Sequence, residues 1–177
     1  VYKRQILYCG DKPMQKGILL SSMSLIGNVE EPLNIYILTV DYSEKGVNYN
    51  PVDKAFAKYL ERKLNKSDIG VNVFLVDVTR YFVEELPEAN MQSRFTACCM
   101  LRLFADKTDI KERVLYLDTD VLCRKDFSDF YYQNMDGIEI AGVSDYYGRW
   151  LFGDGYINSG VMLMNMKAIR ENGILEK

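Results

Sequence analysis

The 177-residue chain contains no histidine, and this absence excludes several kinds of active site. Nucleophilic catalysis by serine or cysteine commonly depends on an adjacent histidine as the base, and no such pair can be built here. Zinc sites that use histidine are excluded for the same reason. Acid–base chemistry and metal binding are therefore left to carboxylates and their neighbours.

The cysteines are few, and they lack the spacing of metal-binding or redox motifs. Cys98 and Cys99 are adjacent, and Cys9 and Cys123 stand alone. This pattern is typical of reduced, mostly buried thiols in a cytoplasmic protein. We therefore expect free thiols rather than a structural zinc site.

Charge of one sign and long apolar runs are also lacking. The net charge is -3, with acidic and basic side chains mixed along the chain. A basic surface for nucleic acid is therefore not indicated. No apolar run approaches the ~18 residues that suggest a membrane span, and no signal peptide is visible. We expect a cytoplasmic protein with no nucleic-acid partner.

The two ends of the sequence look unlike the ends of a natural domain. The first five residues, VYKRQ, resemble the translation of a sequencing-library adapter, so residues 1–5 are expected to be non-native. The sequence stops at Lys177, where a new helix is expected. Residues 6–177 are therefore expected to be the N-terminal portion of a domain whose C-terminal part is missing.

Strand and helix patterns alternate along the chain. Short apolar runs rich in β-branched residues predict strands at residues 6–9, 34–40, 71–78, 113–117 and 139–143. Helical spacing of apolar residues predicts helices over residues 14–26, 51–64 and 93–104, with another near Lys167. This alternation predicts an α/β fold with a mostly parallel central sheet flanked by helices. Such sheets bind ligands at the carboxyl ends of their strands.

The segment RVLYLDTDVL carries the clearest chemical signal. An apolar strand is followed directly by Asp118, Thr119 and Asp120. Two carboxylates this close repel each other, and a divalent cation removes the repulsion. Oxygen ligands suit Mn²⁺ or Mg²⁺, which would neutralise charge that develops on a leaving phosphate. The alternative is an aspartate that only caps the following turn.

Four segments, in this order along the chain, resemble glycosyltransferase family 8, which includes glycogenin and bacterial lipopolysaccharide galactosyl- and glucosyltransferases. They are ILYCGD, SRFTACCMLRLF, RVLYLDTDVL and GYINSGVMLMNMKAIR. The resemblance implies a GT-A-type, Rossmann-like nucleotide-binding fold. It also implies a metal-dependent, retaining transfer of glucose or galactose from a UDP-sugar to a glycan or glycolipid acceptor, as in lipopolysaccharide biosynthesis. Peripheral association with the inner face of the membrane, through the missing C-terminal region, is a further implication.

The resemblance implies a role for individual residues. Contacts with the donor nucleotide fall on Cys9, Gly10, Asp11, Arg102, Asp118, Thr119 and Asp120. Contacts with the donor sugar fall on Arg102, Asp145, Asn158 and Ser159. Asp118 and Asp120 would hold Mn²⁺ or Mg²⁺. The family's downstream histidine ligand and the residue near the reacting carbon have no counterpart, so no catalytic residue is assigned.

Each of these roles has a structural alternative. Arg102 could form an ion pair at a helix end, which would contribute little. Asp145 could cap a loop, and Asn158 could be a turn residue. Tyr146 and Trp150 lie in a predicted loop after Asp145, where they would face donor or acceptor, although most aromatic side chains fill cores.

Two other functions stay open. A haloacid-dehalogenase-like phosphatase also places D-x-D after an apolar strand and would use Asp118 as its nucleophile. That motif normally follows the first strand of its domain, whereas it follows the fourth predicted strand here. The other alternative is a non-catalytic fragment that binds a nucleotide-sugar.

Overall fold

A six-stranded sheet lies at the centre of the computed structural model, which describes residues 3–44, 46–85 and 96–175. The strands are β1 Arg4–Cys9, β2 Leu33–Thr39, β3 Tyr42–Glu44, β4 Val47–Tyr49, β5 Val71–Asp77, β6 Arg113–Leu117, β7 Ile140–Ser144 and β8 Ile157–Asn165. The order in the sheet is β5-β2-β1-β6-β8-β7, and β3 pairs with β4 in a separate hairpin. Strands β5, β2, β1 and β6 are parallel to one another, and β8 is antiparallel to both of its neighbours, β6 and β7. The predicted mostly parallel sheet is confirmed.

Six α-helices connect these strands within the described residues. They are α1 Gln15–Ile26, α2 Lys54–Leu64, α3 Thr79–Glu84, α4 Ser128–Tyr131, α5 Tyr146–Phe152 and α6 Met166–Asn172. The segment Ala97–Lys107 is a 3-10 helix, where the sequence predicts a helix over 93–104. Residues 93–95 of that prediction lie outside the described residues. None of the helices that are described is both long and apolar enough to cross a bilayer.

The two faces of the sheet carry two separate apolar cores. Side chains alternate between the faces along a strand. In β1, Ile6 and Tyr8 therefore pack into the core under α1 and α2, and Leu7 and Cys9 pack into the core under the 3-10 helix. This arrangement fixes β1 tightly, and β1 in turn positions the residues that follow Cys9.

The beginning of β1 lies inside the packed structure. Arg4 is 3% exposed, and its Nε donates to Glu31 Oε2 at 2.7 Å. The side-chain Nε2 of Gln5 donates to the carbonyl oxygens of Lys111 and Arg113. Whether residues 1–5 are non-native stays a prediction, but two of them contribute to the sheet.

A topological switch point lies between β1 and β6. β2 adjoins β1 on one side, and β6 adjoins it on the other, with Leu7 paired to Tyr116. In open α/β sheets the crevice for ligands forms outside the carboxyl ends of such strands. Asp11 and Asp118 follow β1 and β6 and are therefore delivered to this crevice.

Candidate functional site

Asp118 stands at the end of β6, where two side chains hold one of its oxygens. The hydroxyl of Tyr116 donates to Asp118 Oδ1 at 2.5 Å, and Arg102 Nη1 lies 3.9 Å from the same atom. The backbone N–H of Asp118 donates to the carbonyl of Gly160 at 2.8 Å. The Asp118 side chain is 41% exposed, so an ion pair of this length adds little stability and leaves the carboxylate accessible.

The second oxygen of Asp118 faces a position without a side chain. A Cβ on Gly160 would lie 2.9 Å from Asp118 Oδ2 and 3.1 Å from Asn158 Oδ1. Any other residue at 160 would therefore crowd both oxygens. Because position 160 has no side chain, β8 does not cover this carboxylate oxygen, as a site for a cation or for a sugar hydroxyl requires.

Arg102 lies inside the 3-10 helix, and its side chain contacts both β6 and β8 instead of lying at a helix end on the surface. Its side chain is only 16% exposed, and its guanidinium lies 5.0 Å from the centre of the Tyr116 ring. Its Nη1 donates to the carbonyl of Ser159 at 3.2 Å. A guanidinium has five N–H donors in a rigid fork, so capacity remains for an anion such as a phosphate.

The turn after Asp118 packs closely against α1. The N–H of Val121 donates to the carbonyl of Asp118 at 3.1 Å and closes the turn. A Cβ on Gly17 would lie only 2.5 Å from the carbonyl oxygen of Thr119, so the helix approaches this turn closely. The side chain of Asp120 is exposed beyond it.

The carboxylates of Asp118 and Asp120 are two oxygen ligands of the kind that Mn²⁺ and Mg²⁺ prefer. Within the described ranges, no group of three or more histidine, cysteine, aspartate or glutamate side chains is arranged to hold a metal. Magnesium commonly binds through one or two carboxylates and completes its shell with water and phosphate oxygens. The pair therefore fits a metal that is bound together with a diphosphate.

Asp145 and Asn158 form a hydrogen-bonded pair between β7 and β8. Asn158 Nδ2 donates to Asp145 Oδ2 at 3.4 Å, and Asn158 Oδ1 accepts from the N–H of Gly160 at 2.9 Å. Asp145 Oδ1 accepts from the N–H of Gly148 at 2.6 Å, which caps α5. The predicted loop at Tyr146 and Trp150 is thus wrong, because this cap allows a helix to start there. The side chains of Asp145 and Asn158 thus make hydrogen bonds within the fold, and they lie at the same edge of the sheet as Asp118.

Cys9 at the end of β1 is buried, and so are Gly10 and Asp11, which follow it. Burial raises the pKa of the Cys9 thiol well above its ordinary value and keeps it protonated. Burial also raises the pKa of the Asp11 carboxyl, whose Oδ1 is buried and has no hydrogen-bond partner in the described part of the chain. All four cysteines are free, as predicted.

The structure brings most of the predicted site residues to one edge of the sheet. Beside the dominant effect of burial, the charge of Arg102 lowers the pKa of the Cys9 thiol and the charge of Asp118 raises it. The charge of Asp11 likewise raises the pKa of Cys98. Tyr116 and Gly17 are not among the predicted site residues, although Tyr116 stands two residues before Asp118 and therefore on the same face of the strand. A hydroxyl in an otherwise aliphatic strand and a glycine inside a helical pattern are the signals that would have revealed them.

Curated relatives include streptococcal glycosyltransferases. The chain is 29% identical over 115 residues to the probable glycosyl transferase Gly of Streptococcus gordonii, covering 65% of this chain and 16% of that protein. It is 23% identical over 163 residues to glycosyltransferase GlyA of Streptococcus pneumoniae, covering 92% of this chain and 23% of that protein. The chain therefore spans less than a quarter of the length of these relatives.

Solved structures show the same fold. An active-site mutant of LgtC superposes with a TM-score of 0.76 at 19% identity, over 94% of this chain and 59% of LgtC. The apo form of GlyE from Streptococcus pneumoniae gives a TM-score of 0.71 at 21% identity, over 99% of this chain and 37% of GlyE. The predicted GT-A-type fold is confirmed by this likeness.

The match to a described family extends over nearly the whole chain. Residues 5–177 match Glycosyl transferase family 8. This range contains the strand ends, the paired aspartates and the Asn158–Gly160 segment that form the site. The chain belongs to glycosyltransferase family 8.

Proposed function

We propose that this chain is the nucleotide-sugar-binding portion of a metal-dependent glycosyltransferase. The enzyme would transfer glucose or galactose from a UDP-sugar to a glycan or glycolipid, with retention of configuration. The observation that carries the proposal is the placement of Asp118 beside Arg102 at the switch point of the sheet, with the exposed Asp120 two residues further along the same turn. A structure of the similar protein LgtC is described as a galactosyltransferase in complex with donor and acceptor sugar analogs, which supports this substrate class.

Mn²⁺ or Mg²⁺ is proposed to bind Asp118 and Asp120. Bound there, the ion would act as a Lewis acid that neutralises negative charge on the diphosphate. Tyr116 orients the Asp118 carboxylate through Oδ1, and the missing side chain at Gly160 leaves Oδ2 accessible. These residues position the metal ligand without themselves taking part in the reaction.

Asp11 is proposed to bind the uracil base. Its buried Oδ1 lacks a donor in the described structure, and a buried acceptor without a partner is costly. The imide N–H of uracil would supply that donor and would favour the ionised carboxylate. Cys9 and Gly10 would form the adjacent wall, since both lie at the end of β1.

The donor phosphates and sugar are proposed to contact Arg102 and the Asp145–Asn158 pair. The fork of Arg102 suits phosphate oxygens. Asp145 and Asn158 together offer carboxylate and amide oxygens as acceptors and an amide N–H₂ as donor, which match sugar hydroxyls. Ser159 would contribute its backbone at the same edge, where its carbonyl already accepts from Arg102.

The compartment of the reaction and the type of acceptor are also proposals. We place the reaction in the cytoplasm at the inner face of the membrane, and we propose an acceptor of the lipopolysaccharide or related envelope type. Support comes from the family to which the chain belongs.

Calorimetric titration of UDP into the protein, with Mn²⁺ and then with chelator, tests the proposed donor site. We expect saturable binding with Mn²⁺ and a loss of affinity of at least about 100-fold after chelation, because the metal joins the carboxylates to the diphosphate. Absence of UDP binding by well-folded protein in both conditions would contradict the proposal. Phosphate release from a phosphomonoester, without UDP binding, would instead support the phosphatase with Asp118 as nucleophile.

Replacing Tyr116 by phenylalanine tests how the metal ligand is positioned. The ring under Arg102 stays, but the hydrogen bond to Asp118 Oδ1 is lost. We expect Mn²⁺-dependent UDP affinity to fall roughly threefold to tenfold, the usual net worth of one hydrogen bond. Tyr8→Phe is the matched control, since its hydroxyl bonds Ser21 in the core on the opposite face of the sheet. Equal UDP affinity for Tyr116→Phe and wild type would remove Tyr116 from the site.

A further inference from the structure

Helix α5 carries an exposed aromatic surface. Tyr146, Tyr147 and Trp150 are 78%, 77% and 84% exposed. These three side chains line a groove of about 620 Å³ together with Arg149, Gly153 and Asp154. Contiguous exposed aromatic surface of this kind usually marks a binding site.

The helix is held firmly from beneath. Asp145 caps the first turn of α5. A Cβ on Gly148 would lie only 2.1 Å from a carbon of the Tyr156 ring, so this ring packs directly against the helix. Gly148 is therefore the residue that lets α5 rest on Tyr156. A rigid aromatic surface loses little conformational entropy when a ligand binds to it.

The groove adjoins the residues proposed to bind the donor sugar. Asp145 caps α5 and also accepts a hydrogen bond from Asn158. The N–H of Asp145 donates to the carbonyl of Tyr156 at 3.1 Å, so the chain that leaves α5 returns directly to Asn158. A transferase must place its acceptor next to the donor sugar, and the lining of the groove begins with Tyr146, directly after Asp145.

The chemistry of the lining matches a saccharide. A pyranose ring presents apolar C–H faces and a polar edge of hydroxyls; aromatic faces pack against the former, and Arg149 and Asp154 offer partners for the latter. An interfacial membrane helix would carry a polar face rich in lysine and arginine, whereas Arg149 is the one basic residue of α5. The lining therefore favours a glycan over a bilayer.

We propose that this groove binds the acceptor glycan, with Trp150 stacked on a sugar ring. The proposal rests on the proposed glycosyltransferase function and adds to it the place where the acceptor binds. It assigns to the α5 groove a role separate from that of the metal and nucleotide residues at the ends of β1 and β6.

Trp150 is the one tryptophan of the chain, so its fluorescence reports on the groove directly. The labelled protein is applied to an array of glucose-, galactose- and N-acetylglucosamine-containing oligosaccharides, and the best-bound glycan is titrated while Trp150 emission is followed. We expect a saturable shift or quenching of that emission. On the array, Trp150→Ala should bind the same glycan at least about tenfold more weakly, since stacking and burial of the indole are lost.

Leu151→Ala is the matched control. Leu151 is 63% exposed on the same helix but does not line the groove, so we expect an affinity within about twofold of wild type. Thermal melting of both variants reports whether α5 remains folded. The proposal is overturned if no glycan on the array binds, if Trp150→Ala binds as well as wild type, or if Leu151→Ala loses as much affinity.

Two parallel measurements distinguish the acceptor site from a dimer interface and from the proposed donor site. A dimer detected by light scattering that dissociates in Trp150→Ala would assign the face to a second copy and overturn the acceptor site. UDP titration of the wild-type protein is independent of the groove: UDP binding without glycan binding overturns the acceptor site alone. Glycan binding without UDP binding supports the groove and contradicts the proposed donor chemistry.

Discussion

Asp120→Asn is expected to abolish the metal-dependent part of UDP binding. The amide has nearly the shape of the carboxylate but carries no charge, so one of the two proposed ligands is lost to the metal. Replacing a residue that only hydrogen-bonds to a metal ligand already costs about 10–100-fold in metal affinity. The loss of a direct ligand should therefore cost at least about 100-fold in UDP affinity with Mn²⁺. The residual affinity should equal that of wild type measured with chelator.

Asp120 suits this test better than Asp118. Its side chain is exposed, whereas Asp118 is tied to Tyr116 and to Arg102, so its replacement would disturb them as well. The stability of Asp120→Asn should therefore stay close to that of wild type, as is usual for surface substitutions. Calorimetry with and without Mn²⁺, together with thermal melting, measures both quantities.

Asp136→Asn provides the same change of charge away from the site. Asp136 is exposed and follows Met135, whose carbonyl accepts from the side chain of Asn165. Asn165 ends β8 and pairs with Arg113 at the start of β6. β6 has five residues, so Asp136 lies near the end opposite Asp118, about 15 Å along the strand. We expect unchanged UDP affinity in this variant. If Asp120→Asn and Asp136→Asn bind UDP equally well with Mn²⁺, Asp120 is not a metal ligand.

The sequence predicts the parallel strands best, because their signals are local. The prediction for β6 agrees with Arg113–Leu117 residue for residue. This strand is buried, so it appears as an uninterrupted apolar run, and it ends where a charged residue must reach solvent. The position of Asp11 and Asp118 at the same edge follows from the same logic, since both come after adjacent parallel strands.

Other features depend on contacts between distant segments and are invisible in the local pattern. The antiparallel direction of β8 is set by its pairing with β6 and β7, not by its apolar composition. Helix α5 is rich in aromatic residues and contains Gly148, both unfavourable to helices, and the Asp145 cap with packing on Tyr156 overrides this tendency. Tyr116 resembles an ordinary core residue until its hydroxyl is seen to meet Asp118.

Gly17→Ala should weaken both the fold and the donor site, although alanine is the better helix former. Helix propensity alone would favour alanine by up to about 1 kcal/mol. The new Cβ, however, would lie 2.5 Å from the carbonyl oxygen of Thr119, and neither the helix backbone nor the turn can move aside freely. Overpacking of this kind costs about 1–3 kcal/mol in the free energy of unfolding, measurable by urea denaturation.

Relief of the clash between α1 and the turn would displace Thr119, and with it the aspartates on either side. We therefore expect Mn²⁺-dependent UDP affinity to fall in Gly17→Ala by about tenfold or more, because small misplacements of positioned groups have large effects. Gly27→Ala is the matched control: Gly27 caps the end of the same helix, and a Cβ there meets no atom within 4 Å. That variant should be as stable as wild type or slightly more stable, since alanine restricts the unfolded chain. If Gly17→Ala were as stable and bound UDP as tightly as Gly27→Ala, the close approach of α1 would not be what holds the two aspartates in place.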